Sequence, residues 1–405
     1  LSMTFGTSQC KSCTNDYLLL IVPFALMGVA LDGMLFLLNM TVSSGLLNGL
    51  IFYTNIIRIN DSIFLPRSQP AHVYSQIVSV FIAWLNLDFG IESCFYNGMD
   101  SYAKTWLQFV FPTYVFGLVG AIIVVGKCSE KISNSRAFKS AVSVLATLIF
   151  LSFSKILRTI ITIFSFSPIN AENIATPFVW TYDGSLRYFE LKHALIFSFA
   201  ILITVLLVLP YTALLILLPC LQSKSNWRVL KWVIKLKPLL DNYAGPYRDR
   251  YRFWSGVLIG VRFPLYMLFA STDSINIRLL GIAIAVVLYC LLLGSLSVYK
   301  NWSRLVLELF FHLNLLAITV TYLFDPSPQT SLPVYAIVQI GIGCAFVCFV
   351  AIFIARIVVL MREKITHGDA LQVQIADVVE PQALFHAIPD SSQLREPLIS
   401  GTGHY

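Results

Sequence analysis

Lys155 and Arg158 stand three residues apart inside one long apolar run, 141–166. Residues at that spacing share a helical face. A charge placed in hydrocarbon is costly unless it meets a carboxylate, a backbone carbonyl or water. The candidate partners are Asp88 and Glu92, spaced i,i+4 in the region of the run 77–91, and Asp32 in the run 17–38. The pattern predicts that Lys155 and Arg158 line the interior and pair with Asp88 or Glu92. Such a pair either fixes helix register or forms part of an ion or ligand site. Arg262, in the run 253–270, and Glu308, in the run 305–324, form a second couple. Glu308 is one turn from the end of its run, so snorkelling of either side chain is the expected solution. Of the six histidines, only His312 falls inside a run, and it reads as hydrogen-bonded packing.

Other chemistry is sparse. The chain has no Walker loop, no G-x-S-x-G, no His-Glu-x-x-His and no paired CxxC, so no enzyme is expected. Cys10-x-x-Cys13 lacks the second pair or the histidines that a zinc site needs, so no metal or cofactor is expected. Cys220, Cys290, Cys344 and Cys348 lie in or beside apolar runs and read as small packing residues. The segment 237–254 interleaves basic residues with aromatics. Arg248, Arg250, Arg252 and Trp254 are the candidates there for contact with anionic lipid headgroups. Ordinary anchoring of the chain at an interface explains the same residues. Pro23, Pro112, Pro210 and Pro264 fall inside runs, where each removes a backbone donor and can kink a helix.

The elements that position these residues follow from composition. Of 405 residues, 57% are hydrophobic and 12% charged, against about 25% charged in a soluble domain. That is too little polar surface to coat a body in water, and mean hydropathy is +0.76. A span needs about 20 apolar residues. Seven runs meet or approach this from position 106 onward: 106–126, 141–166, 194–219, 253–270, 279–298, 305–324 and 334–357. A further strong run, 17–38, precedes them, with two weaker stretches at 46–57 and 77–91. The expectation is an all-α polytopic bundle of about nine spans, with 77–91 a short crossing and 46–57 lying in or dipping into the cytoplasmic interface.

The net charge of +7 belongs to the loops, not to a nucleic-acid surface. Lys127, Lys131, Arg136 and Lys139 fill the first loop after residue 106, and eight basic residues from Lys224 to Arg252 fill the third. Lys300 and Arg304 mark the fifth, and Arg356, Arg362 and Lys364 open the tail. The intervening loops are acidic or neutral. The positive-inside rule then puts the basic loops and the C-terminus in the cytoplasm and the N-terminus outside. Residues 1–16 read as the end of an extracellular region, 17–361 as the bundle, and 362–405 as a polar, acidic, mostly disordered tail. Asn39, Asn60 and Asn301 head Asn-x-Ser/Thr acceptors, and this topology leaves all three unglycosylated.

Several long motifs are familiar: 81–100 (FIAWLNLDFGIESCFYNGMD), 102–112 (YAKTWLQFVFP), 155–161 (KILRTII) and 245–254 (GPYRDRYRFW). Together they resemble the C-terminal multi-pass membrane module of very large Cys-rich or repeat-bearing surface proteins of early-branching animals such as sponges and cnidarians. The resemblance reaches from near the start to about residue 360. It implies a large ectodomain ahead of residue 1, which suits a chain opening at Leu1, and makes Cys10 and Cys13 the end of a disulfide-bonded region. Asp32 departs from it, falling where an apolar residue belongs. The expected function is a receptor-like or adhesion-type plasma-membrane module; the alternative is an ion channel or transporter of TRP-like bundle type.

Overall fold

The computed structural model describes residues 2–3, 10–11, 21–64, 73–87, 99–129, 136–168, 178–223, 230–272, 274–324 and 332–379. The chain divides into two compact units, Leu1–Phe353 and Ile354–Tyr405. The first unit opens with β1 (Ser2–Met3) and β2 (Cys10–Lys11), an antiparallel pair. Then come α1 (Ile21–Leu38), α2 (Asn48–Ile59), α3 (Asp61–Phe64) and α4 (Val73–Leu85). The long helices α5 (Ser101–Cys128) and α6 (Arg136–Phe164) follow. A small antiparallel sheet of β3 (Phe166–Pro168), β4 (Phe178–Trp180) and β5 (Asp183–Arg187) caps α6. The remaining helices are α7 (Leu191–Ile203), α8 (Leu209–Ser223), α9 (Leu230–Ala244), α10 (Trp254–Ser271), α11 (Ile275–Leu296), α12 (Trp302–Phe324) and α13 (Leu332–Val379). The second unit carries the continuation of α13 as far as Val379, into the stretch read as a disordered tail.

Among the described residues, eight helices are long and apolar enough to cross a membrane. The seven beyond residue 100 are Ser101–Cys128, Ser140–Phe164, Leu191–Leu217, Asp249–Ser271, Ile275–Leu296, Trp302–Phe324 and Ala336–Arg362, and they coincide with the seven apolar runs. The eighth is Ala25–Ser44. Large apolar side chains point outward from them: Leu26, Leu206, Leu291 and Val347 are 63%, 67%, 63% and 65% exposed. Hydrocarbon is the solvent that makes such a surface stable, and the chain is a multi-pass integral membrane protein.

The innermost of these spans is α6, with 72% of its apolar window buried against 22% for the α7–α8 span. It touches α1, α2, α5, α7, α9 and α10. The α7–α8 span contains a π-helical turn, Thr204–Val208, directly ahead of Pro210. Proline lacks the N–H that would continue the α-helical ladder and its ring crowds the preceding turn; the wider turn accommodates both.

Short helices hold the surprise. All twelve residues of α2 are buried, against α4, α6, α10 and α12. Its contacts climb α12 in step. A Cβ on Gly49 would touch Glu308, Phe52 stacks on His312 at 4.8 Å, and Phe64 of α3 meets Tyr322 edge-on at 5.5 Å. From Glu308 to Tyr322 a helix rises about 21 Å, so α2 and α3 together traverse most of the bundle. The α4 helix runs alongside α13, with Phe81 at 4.9 Å from both Phe346 and Phe349. It ends where Asn86 Nδ2 donates to the Thr54 carbonyl at 3.2 Å, the level of His312. Within the described residues, α4 therefore stops partway along the bundle while α2–α3 runs along most of α12, and neither α2 nor α4 reaches the length of a span by itself.

Candidate functional site

Two polar sites lie inside this apolar body, towards opposite ends. The inner one gathers at the end carrying the basic loops. Glu308, 2% exposed, holds two phenols: Tyr289 Oη donates to Oε1 at 2.5 Å, and Tyr299 Oη donates to Oε2. Trp254 Nε1 donates to Tyr289 Oη at 2.8 Å. The His312 ring stacks on Tyr289 at 4.5 Å, and its Nδ1 donates to the Glu308 carbonyl at 2.8 Å. A buried carboxylate without donors would carry a large desolvation cost; here two O–H groups replace water.

Arg262 completes the cluster and is fully buried. Its Nη1 donates to Ser154 Oγ at 3.2 Å, and its guanidinium carbon lies 4.6 Å from the Phe150 ring centre and 5.8 Å from that of Phe52. Its Nε and Nη2 have no hydrogen-bond partner. The expected snorkelling of Arg262 and Glu308 does not occur. Protein covers both ends, and aromatic faces and phenols provide what the interface would have provided. The two do not form an ion pair with each other.

The basic loops are clasped onto this cluster. Tyr247 and Tyr299 form an isolated antiparallel bridge with rings 4.9 Å apart. Arg248 N donates to the Val298 carbonyl at 3.0 Å, and Lys300 N to that of Pro246 at 3.1 Å. Asn48 Nδ2 donates to Tyr247 Oη at 3.0 Å, tying the clasp to α2. Burial and the nearby Glu308 carboxylate push the phenols of Tyr247 and Tyr299 above their usual range, keeping both neutral. The clasp is also fastened to α6. Tyr243 Oη donates to the Ala146 carbonyl at 2.7 Å, and Ser143 Oγ lies 2.6 Å from Asn242 Oδ1.

This geometry revises the lipid-headgroup set. Trp254 is 2% exposed and hydrogen-bonded inside the bundle, so it is a core residue and not a headgroup contact. Arg248 and Arg250 are exposed, while Arg252 pairs with Asp249 at 3.4 Å. Sequence reasoning missed Tyr289, Tyr299, Tyr247 and Asn48 altogether. The one available signal is a set of hydroxyl and amide groups on otherwise apolar or loop segments, besides a glutamate inside an apolar run.

The outer site lies at the sheet end. Thr105 and Gln108 of α5, Lys155, Arg158, Thr159 and Thr162 of α6, and Tyr182 from the β4–β5 turn line a cavity of about 60 Å³. The sheet roofs this end through fixed bonds. Trp180 Nε1 donates to the Thr162 carbonyl at 2.8 Å and Tyr188 Oη to that of Phe164 at 2.9 Å. His193 accepts from Phe189 N at 3.2 Å on Nδ1, which leaves Nε2 to donate to the Ile163 carbonyl at 3.0 Å. Lys155 is 6% exposed. The structure therefore brings Lys155 and Arg158 together on one wall. Asp88 and Glu92, their expected partners, lie outside the described residues, as does Cys13; of Cys10 only its place in β2 is described. Asp32 is 5% exposed, and neither carboxylate oxygen has a hydrogen-bond partner.

No family model, curated protein or solved structure matches the chain.

Proposed function

We propose that this protein is a receptor-like module of the plasma membrane. It takes a ligand in the cavity beneath the sheet and passes the event to the basic, cytoplasmic loops through α6. The observation that carries this is a pair of neighbours on that helix. Lys155 lines the outer cavity, and Ser154, the residue before it, holds the buried Arg262 of the inner cluster. Further along, Ala146 and Ser143 hold the segment that leads into the clasp. A ligand that shifts or rotates α6 changes both ends together, because a packed core repacks between discrete arrangements instead of yielding gradually. The orientation, N-terminus out and C-terminus in, rests on the alternation of basic and non-basic loops.

The test is a reporter on the clasp. An environment-sensitive dye at Arg250→Cys, in reconstituted protein, should respond to occupation of the outer cavity, and Lys155→Gln should silence it. The competing reading is an ion channel or transporter, favoured by α4 ending partway through the bundle beside α2 and by the buried Asp32. Broken or partial helices inside protein are common in such machines. Robust currents from the reconstituted chain in planar bilayers would decide for that reading; electrically silent protein with a responding clasp decides for reception.

A further inference from the structure

The α5–α6 seam holds a second cavity, nearer the basic end than the first. It measures about 310 Å³ and is lined by Phe116 of α5, by Ile149, Phe153 and Ile156 of α6, and by Leu207 and Val208 of the π-helical turn. Its wall is apolar, and beside it Leu206 and Leu207 are 67% and 41% exposed on the lipid-facing surface. Along α6 the two cavities follow one another, Ile156 lining one and Thr159, a turn further on, the other. From Ile149 to Arg158 the helix rises about 14 Å.

The two cavities have complementary chemistry. In the outer one the hydroxyls of Thr105, Thr159 and Thr162 donate to carbonyls one turn back at 2.8, 2.9 and 3.0 Å. Their hydrogens are committed, and the charged side chains of that wall are those of Lys155 and Arg158. A volume of about 60 Å³ corresponds to about two waters, the size of a single carboxylate group and too small for a sugar or nucleotide. The apolar cavity is about twice the size of one that admits benzene, which corresponds to about a dozen carbon atoms.

We propose that the seam binds a fatty carboxylate of about twelve carbons or more, its head on Lys155 and Arg158 and its chain in the apolar cavity beside the π-helical turn. This deepens the receptor reading and rests on the outer cavity being its ligand site. A fatty acid reaches such a seam from within the bilayer, past Leu206 and Leu207, without passing the roof of the sheet. The π-helical turn is placed to respond to the chain, as wider turns at functional sites commonly do.

The experiment uses the full chain in nanodiscs of zwitterionic lipid, with radiolabelled laurate as probe. Saturable binding is expected, weakened about tenfold by Lys155→Gln and again by Arg158→Gln, each of which removes a charge-assisted bond. Lys155→Arg and Arg158→Lys, which retain the charge, should restore most of it, and Ile149→Trp should abolish it by filling the chain cavity. Dodecanol should bind more weakly than laurate and ignore both charge substitutions. Laurate binding unchanged in monodisperse Lys155→Gln/Arg158→Gln protein overturns the proposal. Equal binding of acetate and laurate overturns it as well. In that case a response of the Arg250→Cys reporter to acetate leaves the receptor reading standing, whereas laurate binding with a silent reporter removes that reading and keeps the site.

Discussion

Tyr299→Phe isolates one hydrogen bond at the centre of the inner cluster. The phenylalanine keeps the ring against Tyr247, 4.9 Å away, and deletes only the hydroxyl that Glu308 Oε2 accepts. A hydrogen bond to a charged group contributes about 1.5–3 kcal/mol and a neutral one about 0.5–1.5. The single substitution should therefore cost about 2 kcal/mol, since a buried carboxylate oxygen loses its donor. With Glu308→Gln already in place, the same deletion removes a neutral bond and should cost about 1 kcal/mol. The expected coupling between the two positions is thus about 1 kcal/mol, within the range of residues in direct contact. Equilibrium unfolding in mixed micelles, run on the wild type, the two single variants and the double variant, measures it. If Tyr299→Phe costs the same with and without Glu308→Gln, the charged carboxylate does not organise the cluster and the account of the clasp fails.

Further outcomes follow from the same geometry. Arg262→Met should hold stability within about 1 kcal/mol, because a buried guanidinium with two unpartnered nitrogens gives little net stabilisation; the same variant should uncouple the clasp reporter from the outer cavity. Trp254→Phe should cost about 1 kcal/mol through loss of the bond to Tyr289, and the wild-type indole should resist aqueous quenchers, whereas a Trp at the lipid surface would not. Stability should be flat up to about pH 10, the ordinary phenol range, and fall above it. The raised phenols of Tyr247 and Tyr299 stay neutral when folded while their unfolded counterparts ionise; chemical denaturation from pH 8 to 11 reads this, and a rise above pH 10 would contradict it. Asp183→Asn creates an acceptor with Ser185 on the sheet, and in a glycosylating cell it should gain a glycan while the exposed Asn301 gains none. The opposite pattern inverts the bundle.

The spans beyond residue 100 are legible in the sequence because each carries a long, predominantly apolar stretch. The α2 helix is not legible in that way. Asn48, Asn55 and Arg58 dilute its hydropathy, and sequence shows the dilution but not the protein that covers it on every side. Glu308 is legible as a charge in a span, but its solution is not. Snorkelling needs only the residue's own position, whereas caging by phenols needs Tyr289 and Tyr299 brought in from another helix and a loop. Trp254 shows the same gap, since an aromatic near a helix start suits an interfacial belt and a hydrogen-bonded core equally well. The three-stranded sheet escaped notice because two of its strands have three residues and the third five, with no room for a clear alternation.

The central position of α2 also bears on how the chain is made. Its neighbours on α12 are synthesised some 260 residues later, a wait of roughly 10–50 s at ribosomal speeds. Through that interval the face of this twelve-residue helix that meets α12 stays uncovered, even once α4, α6 and α10 have been made. The insertion machinery must therefore shelter it, or leave it at the surface until α12 arrives to draw it in. Nascent chains arrested before Trp302 should accordingly be substrates for quality control, and a protease site placed in α2 should be cut in them and spared in the finished protein.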